Sequence, residues 1–169
     1  MDTPKMARER VQYLTFFIAG EEYAIQIAQA REVVELGALT RVPSVPACIR
    51  GVINLRGNVL PVIDLAVKFG LPACVATRRS CVVIVETAFD REHIALGVMA
   101  DAVGQVLDLG PEDIEAPPQF GTLVRVDFLR GMGKVGDKFA LILEIDRLLA
   151  TQEILSAATQ VAGGPVDLP

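Results

Sequence analysis

The chain has 169 residues, a formal net charge of −5, no tryptophan and only two tyrosines, and just over half of its residues are hydrophobic. That length suits one domain, or two small lobes sharing a core, burying roughly 70% of the unfolded surface without a disulfide or metal staple. The acidic balance and the scattered basic residues exclude a phosphate-gripping face, so neither nucleic acid nor an anionic membrane surface is an expected partner.

Residues 1–12, MDTPKMARERVQ, lack the apolar core of a signal peptide and read as a flexible arm. Over residues 13–27, Tyr23, Ile25 and Ile27 alternate with Ala24 and Gln26, and Ala19-Gly20-Glu21-Glu22 supplies a reversal, the pattern of a β-hairpin. Residues 28–36 fit a helical turn or a strand. Pro43 and Pro46 then forbid a continuous helix and impose a loop. In GVINLRGNVLPVID, residues 51–64, two apolar runs flank Gly57-Asn58, whose tolerance of positive φ suits a tight turn. Pro61 has no amide proton to give a ladder, which places its strand at an edge or turns its nitrogen outward. Asp64 and Gly70 bracket a short helix, and residues 71–80 read as a connection between lobes.

The second half repeats the strand pattern. Residues 81–86 and 93–99 flank a charged turn, residues 103–109 form another strand, and 110–121 make an acidic, proline-bearing loop. Residues 127–135 and 138–144 pair around Gly136-Asp137, and 146–155 suit a C-terminal helix followed by a disordered tail. About nine short strands with almost no long helix define a mostly β barrel or sandwich. The two halves look alike in pattern, without a residue-level repeat. Cys48, Cys74 and Cys81 are odd in number and show no C-x-x-C spacing, which fits core-filling thiols in a reducing cytosol.

Catalytic chemistry has little to work with. His93 is the only histidine, so any Ser-His-Asp or Cys-His arrangement would need it, and no nucleophile signature accompanies it. Zinc ligands are not present at usable spacing. Gly131-Met132-Gly133-Lys134-Val135-Gly136 matches a dinucleotide fingerprint literally. The residues after it continue as a strand and offer no helix N-terminus to a pyrophosphate. The expectation is no enzyme, no cofactor and no metal.

RVPSVPACIRGVINLRGNVLPVIDLAVKFGL, residues 41–71, closely resembles the signature segment of the CheW family of bacterial chemotaxis coupling proteins. The similarity runs on through FFIAGEEYAIQIAQAREVVEL, VVIVE, GVMADAVGQVLDL and FLRGMGKVGDKFALILEIDRLL, about residues 13–150. The resemblance implies two intertwined five-stranded SH3-like β-barrel lobes and a short C-terminal helix. The first lobe would span about 20–80 and the second about 81–145, with room for strand exchange; 151–169 would hold the helix end and the tail. It implies a cytoplasmic scaffold, recruited to membrane receptor arrays, that joins chemoreceptor tips to the regulatory domain of the histidine kinase CheA. A coupler for a related chemosensory pathway controlling pili, development or second-messenger output is the alternative. By position, Arg56, Val82 and Val106 would face the receptor, in a groove between the barrels. Ile27, Ala30, Glu32 and Gly51 would face the kinase. Core packing for Val82, Val106 and Ile27, and a structural ion pair for Arg56, are the competing readings.

Overall fold

The computed structural model describes residues 10–89, 92–117 and 128–149. Residues 1–9 of the expected arm, 118–121 of the acidic loop, the start of the strand expected at 127 and everything expected beyond 149 lie outside the described residues. Val11 and Gln12, expected in the arm, belong to the first strand, and the described part of the acidic loop holds a 3₁₀ turn, Pro111–Asp113, and a short strand, Ile114–Glu115. Among the described residues, eleven strands fall into two sheets. β1 (Val11–Ile18) and β2 (Glu21–Gln26) form the first hairpin. A 3₁₀ turn, Ile27–Gln29, leads into β3 (Ala30–Glu35), which resolves the open reading of 28–36 as turn and then strand. β4 (Ile49–Leu55) and β5 (Asn58–Ile63) make the second hairpin, and helix α1 (Leu65–Lys68) follows. β6 (Cys81–Phe89), β7 (Glu92–Ala100) and β8 (Ala102–Leu109) come next. β9 (Ile114–Glu115), the hairpin β10 (Leu129–Val135) and β11 (Lys138–Leu143), and helix α2 (Ile145–Leu148) complete the order.

One sheet has the order β3-β6-β7-β5-β4 and forms a central lobe; the other, β8-β1-β2-β11-β10-β9, forms a terminal lobe from both ends of the chain. The expected division at residue 80 is corrected accordingly. The first hairpin crosses over and pairs with the second half through the parallel contact of β2 with β11, so strand exchange defines the lobes.

Alternation distributes the core. In β6, Val82 and Ile84 point into the central lobe with Leu60, Val62 and Met99. Val83 and Val85 point the other way, against Leu14, Phe16, Ile18, Leu96 and Val98 and both helices, in a core shared by the two lobes. Burial on both faces explains why the strand opens with an unbroken apolar run over residues 81–85. Tyr13, Ala24, Leu109, Ala140 and Ile142 fill the terminal lobe.

Two local expectations change. The hairpin turn is Arg56-Gly57, with Leu55 opposite Asn58, because both central residues take positive φ, +52° and +89°. Asn54 Oδ1 accepts from the Gly57 amide at 2.9 Å and helps to hold this turn. β5 is not an edge strand: it lies between β4 and β7. Its ladder to β7 starts only at Val62 and Ile63, so Pro61 sits just before the stretch where an amide proton would be needed.

The halves also share a residue-level repeat that composition hid. Arg50-Gly51 and Asp64, 14 residues apart for the charged pair, recur as Arg130-Gly131 and Glu144 at the same spacing. Each arginine meets its carboxylate, at 2.7 Å and 2.5 Å. Each hairpin has a register shift at the glycine. The Asp64 amide donates to the Cys48 carbonyl and the Glu144 amide to the Phe128 carbonyl, both at 2.7 Å.

Candidate functional site

Arg56 stands at the tip of the β4–β5 hairpin with its side chain 66% exposed, and its guanidinium pairs with the Glu32 carboxylate on β3. The two residues, assigned by resemblance to different partners, are therefore neighbours. They line a shallow cleft of about 380 Å³ with Arg31, Val59, Ile94 and Ala95. Val59 is 41% exposed beside the turn.

The expected receptor trio does not assemble around Arg56. Val82 is fully buried inside the central lobe, because it lies on the inward face of a strand paired on both sides; it is core rather than surface. Val106 lies on β8, in the other sheet, and does not line the Arg56 cleft. It is half-exposed, and the register of β8 gives it a companion that sequence reading missed. Leu14 opposes Val106 and Phe16 opposes Val103, with a bulge between them. Residues three apart on a regular strand point to opposite faces. The bulge restores Val103 and Val106 to one face, and both are exposed large hydrophobics. Only the pairing register could have revealed this.

The expected kinase-facing set is also divided. A register shift sets Ala30 opposite Val85 and Glu32 opposite Ile84. Ala30 therefore packs on the shared core, while Glu32 turns to the opposite face and reaches Arg56. Ile27 is exposed on the 3₁₀ turn, and Val33 is exposed on β3. Gly51 is buried and serves the backbone: its φ is +153°, and an added Cβ would lie 2.6 Å from the Thr40 carbonyl oxygen. That carbonyl accepts from the Val52 amide at 2.8 Å in the bridge closing the loop onto β4. Gly51→Ala is expected to destabilise the fold by about 1–3 kcal/mol without altering any surface, measured by urea unfolding.

The base of the same hairpin is held by a buried carboxylate. Asp64 is inaccessible to solvent and accepts from Arg50 Nη1 at 2.7 Å, from the Ala66 amide at 3.0 Å as helix cap, and from the Cys74 amide at 2.9 Å. Burial, and then the Asp64 carboxylate, push the Cys74 thiol up to about 12, so it carries little thiolate at neutral pH. Gly131 and Gly133 of the fingerprint-like run are packing glycines. Cβ atoms there would meet the Glu115 carbonyl at 2.8 Å and Leu109 Cδ1 at 2.6 Å.

A second cleft, about 400 Å³, lies where the lobes join, lined by Phe17, Gly20, Thr77, Arg79, Asp101 and Ala102. Asp101 closes its floor: its amide donates to the Phe17 carbonyl at 2.8 Å, and its Oδ2 accepts from the Ala19 amide at 2.9 Å. β8, with Val103 and Val106, departs from its rim.

Two entwined β lobes that share one core, an open cleft at their junction and apolar side chains on an edge strand define a binding module. The CheW-like domain model matches residues 12–153, and the chain belongs to the CheW family. The chemotaxis protein CheW of Klebsiella aerogenes is 35% identical over 152 residues, covering 89% of each chain. That of Helicobacter pylori is 36% identical, covering 83% of this chain and 82% of its own. The crystal structure of the scaffolding protein TtCheW from Thermoanaerobacter tengcongensis superposes with a TM-score of 0.75 at 33% identity, over 86% of this chain and 92% of that one.

Proposed function

We propose that this protein is a non-enzymatic coupler that binds chemoreceptor cytoplasmic tips and the regulatory domain of the histidine kinase CheA, acting in the cytoplasm at receptor arrays. Family membership across nearly the whole described chain supports the coupling role. The observation that carries the receptor-facing surface is the shared face of Val103 and Val106 on edge strand β8. A helix seeks apolar anchors at such a surface, and a rim charge gives direction. Ile27 and Val33 are the kinase-facing candidates, with Val33 on the opposite face of β3 from Glu32. No helix among the described residues is long and apolar enough to cross a membrane, so recruitment to arrays would come through the partners.

The test is paired binding. Val103→Asp with Val106→Asp should leave melting nearly unchanged, because both side chains are exposed. It should weaken co-sedimentation with receptor-bearing membranes by about tenfold or more. Binding to the isolated CheA regulatory domain should persist. Unchanged co-sedimentation would remove β8 from the receptor surface.

A further inference from the structure

Each helix that follows a hairpin is fastened to the lobe it does not belong to. α1 leaves the central lobe, and its Lys68 ammonium sits 5.5 Å from the centre of the Phe128 ring, which borders β10 of the terminal lobe. α2 leaves the terminal lobe and carries Asp146. Asp146 Oδ1 accepts from Thr87 Oγ1 at 2.7 Å, Gln29 Nε2 at 3.1 Å and the Ala88 amide at 3.3 Å. Thr87 and Ala88 belong to β6 of the central lobe, and Gln29 closes the 3₁₀ turn through which the chain crosses between lobes.

A single oxygen on an exposed residue of α2 therefore gathers three donors, two from β6 of the opposite lobe and one from the turn that crosses between the lobes. Thr87 is 2% exposed, so its hydroxyl would lose its hydrogen bond and gain no water if the aspartate left. All three donors are neutral, which makes the acceptor atom, rather than the charge, the essential feature. The gathering point is at the end of β6, while the junction cleft adjoins its start near Thr77 and Arg79. The two are about 20 Å apart along the strand.

We infer that Asp146 is the pin that fixes the angle between the two lobes, and hence a positioning residue for a helix seated on the β8 face. The second clause rests on the proposed receptor surface; the first does not.

The full-length protein, spin-labelled through Glu35→Cys on β3 and Lys134→Cys on β10, reports the inter-lobe distance by pulsed electron resonance. Both sites are exposed, Cys48 and Cys81 are buried, and the high pKa of Cys74 keeps its labelling slow. Asp146→Ala should shift or broaden the distance distribution. Asp146→Asn, whose amide oxygen can accept the same three bonds, should restore it. Thr87→Val, which keeps the side-chain shape and removes the shortest bond, should reproduce the alanine effect and serves if Asp146→Ala fails to fold. An unchanged, narrow distribution in Thr87→Val and in folded Asp146→Ala would overturn the pin. A receptor affinity that falls several-fold in Asp146→Ala and returns in Asp146→Asn would establish positioning. A shifted distribution with unaltered receptor affinity would sustain the pin and overturn its positioning role, while the surface on β8 stands or falls by the Val103→Asp with Val106→Asp variant.

Discussion

Asp64→Ala is expected to lower the unfolding free energy by about 3–5 kcal/mol, the cost of breaking a buried ion pair by removing one partner. Solvent does not reach the Asp64 side chain, whereas the Arg50 side chain is 32% exposed, so the arginine recovers some hydration and the loss should fall toward the lower end. The Ala66 and Cys74 amides are stranded as well, which adds to the charge term. The repeat supplies an internal control. Glu144 has the same spacing from Arg130, but these side chains are 28% and 42% exposed, and the α2 cap makes no side-chain bond. Glu144→Ala should therefore cost only about 0.2–1 kcal/mol. Parallel urea titrations of the two variants measure the difference. Equal losses would show that burial is not what distinguishes the two clamps.

Much of the fold was legible because local signals agreed with the tertiary result. The β1–β2 reversal, the Asp64 cap and the Gly136-Asp137 turn each rest on residues whose preferences act within a few positions of themselves. What escaped reading depends on pairing. The lobe boundary was misplaced because the first hairpin finds its neighbour, β11, more than a hundred residues later, and no local pattern encodes that choice. The turn slipped by one residue because Gly57-Asn58 and Arg56-Gly57 both contain the glycine, and the Asn54 side chain favours the second. The candidate site was less legible than the fold. Bulges at Arg31 and between Val103 and Val106 change which residues share a face. A single inserted residue reverses every inference based on period-two alternation. Resemblance supplied Arg56 and Glu32 separately; their contact emerged only when β3 and the hairpin tip were placed side by side.

That contact decides how Arg56 should be tested. Arg56→Glu sets two carboxylates against each other at the tip, but both are solvated, so stability should change by no more than about 1 kcal/mol. If the guanidinium supplies a directional donor to an acidic group on the receptor tip, reversing its charge should weaken receptor co-sedimentation by about tenfold or more. Kinase-domain binding should be retained. Charge reversal alone does not separate a partner contact from the loss of the Glu32 pair. The exchange Arg56→Glu with Glu32→Arg does: it rebuilds an ion pair across the same cleft while moving the cation from the hairpin tip to β3. Recovery of receptor binding in the exchanged protein would mean that Arg56 acts only by bracing β3. Continued loss, with normal melting, would place the arginine itself at the interface. Glu32→Gln completes the set. It frees the guanidinium from its internal partner, so a receptor carboxylate no longer competes with Glu32 for it, and affinity should rise modestly, by roughly two- to fivefold for a pair of this exposure.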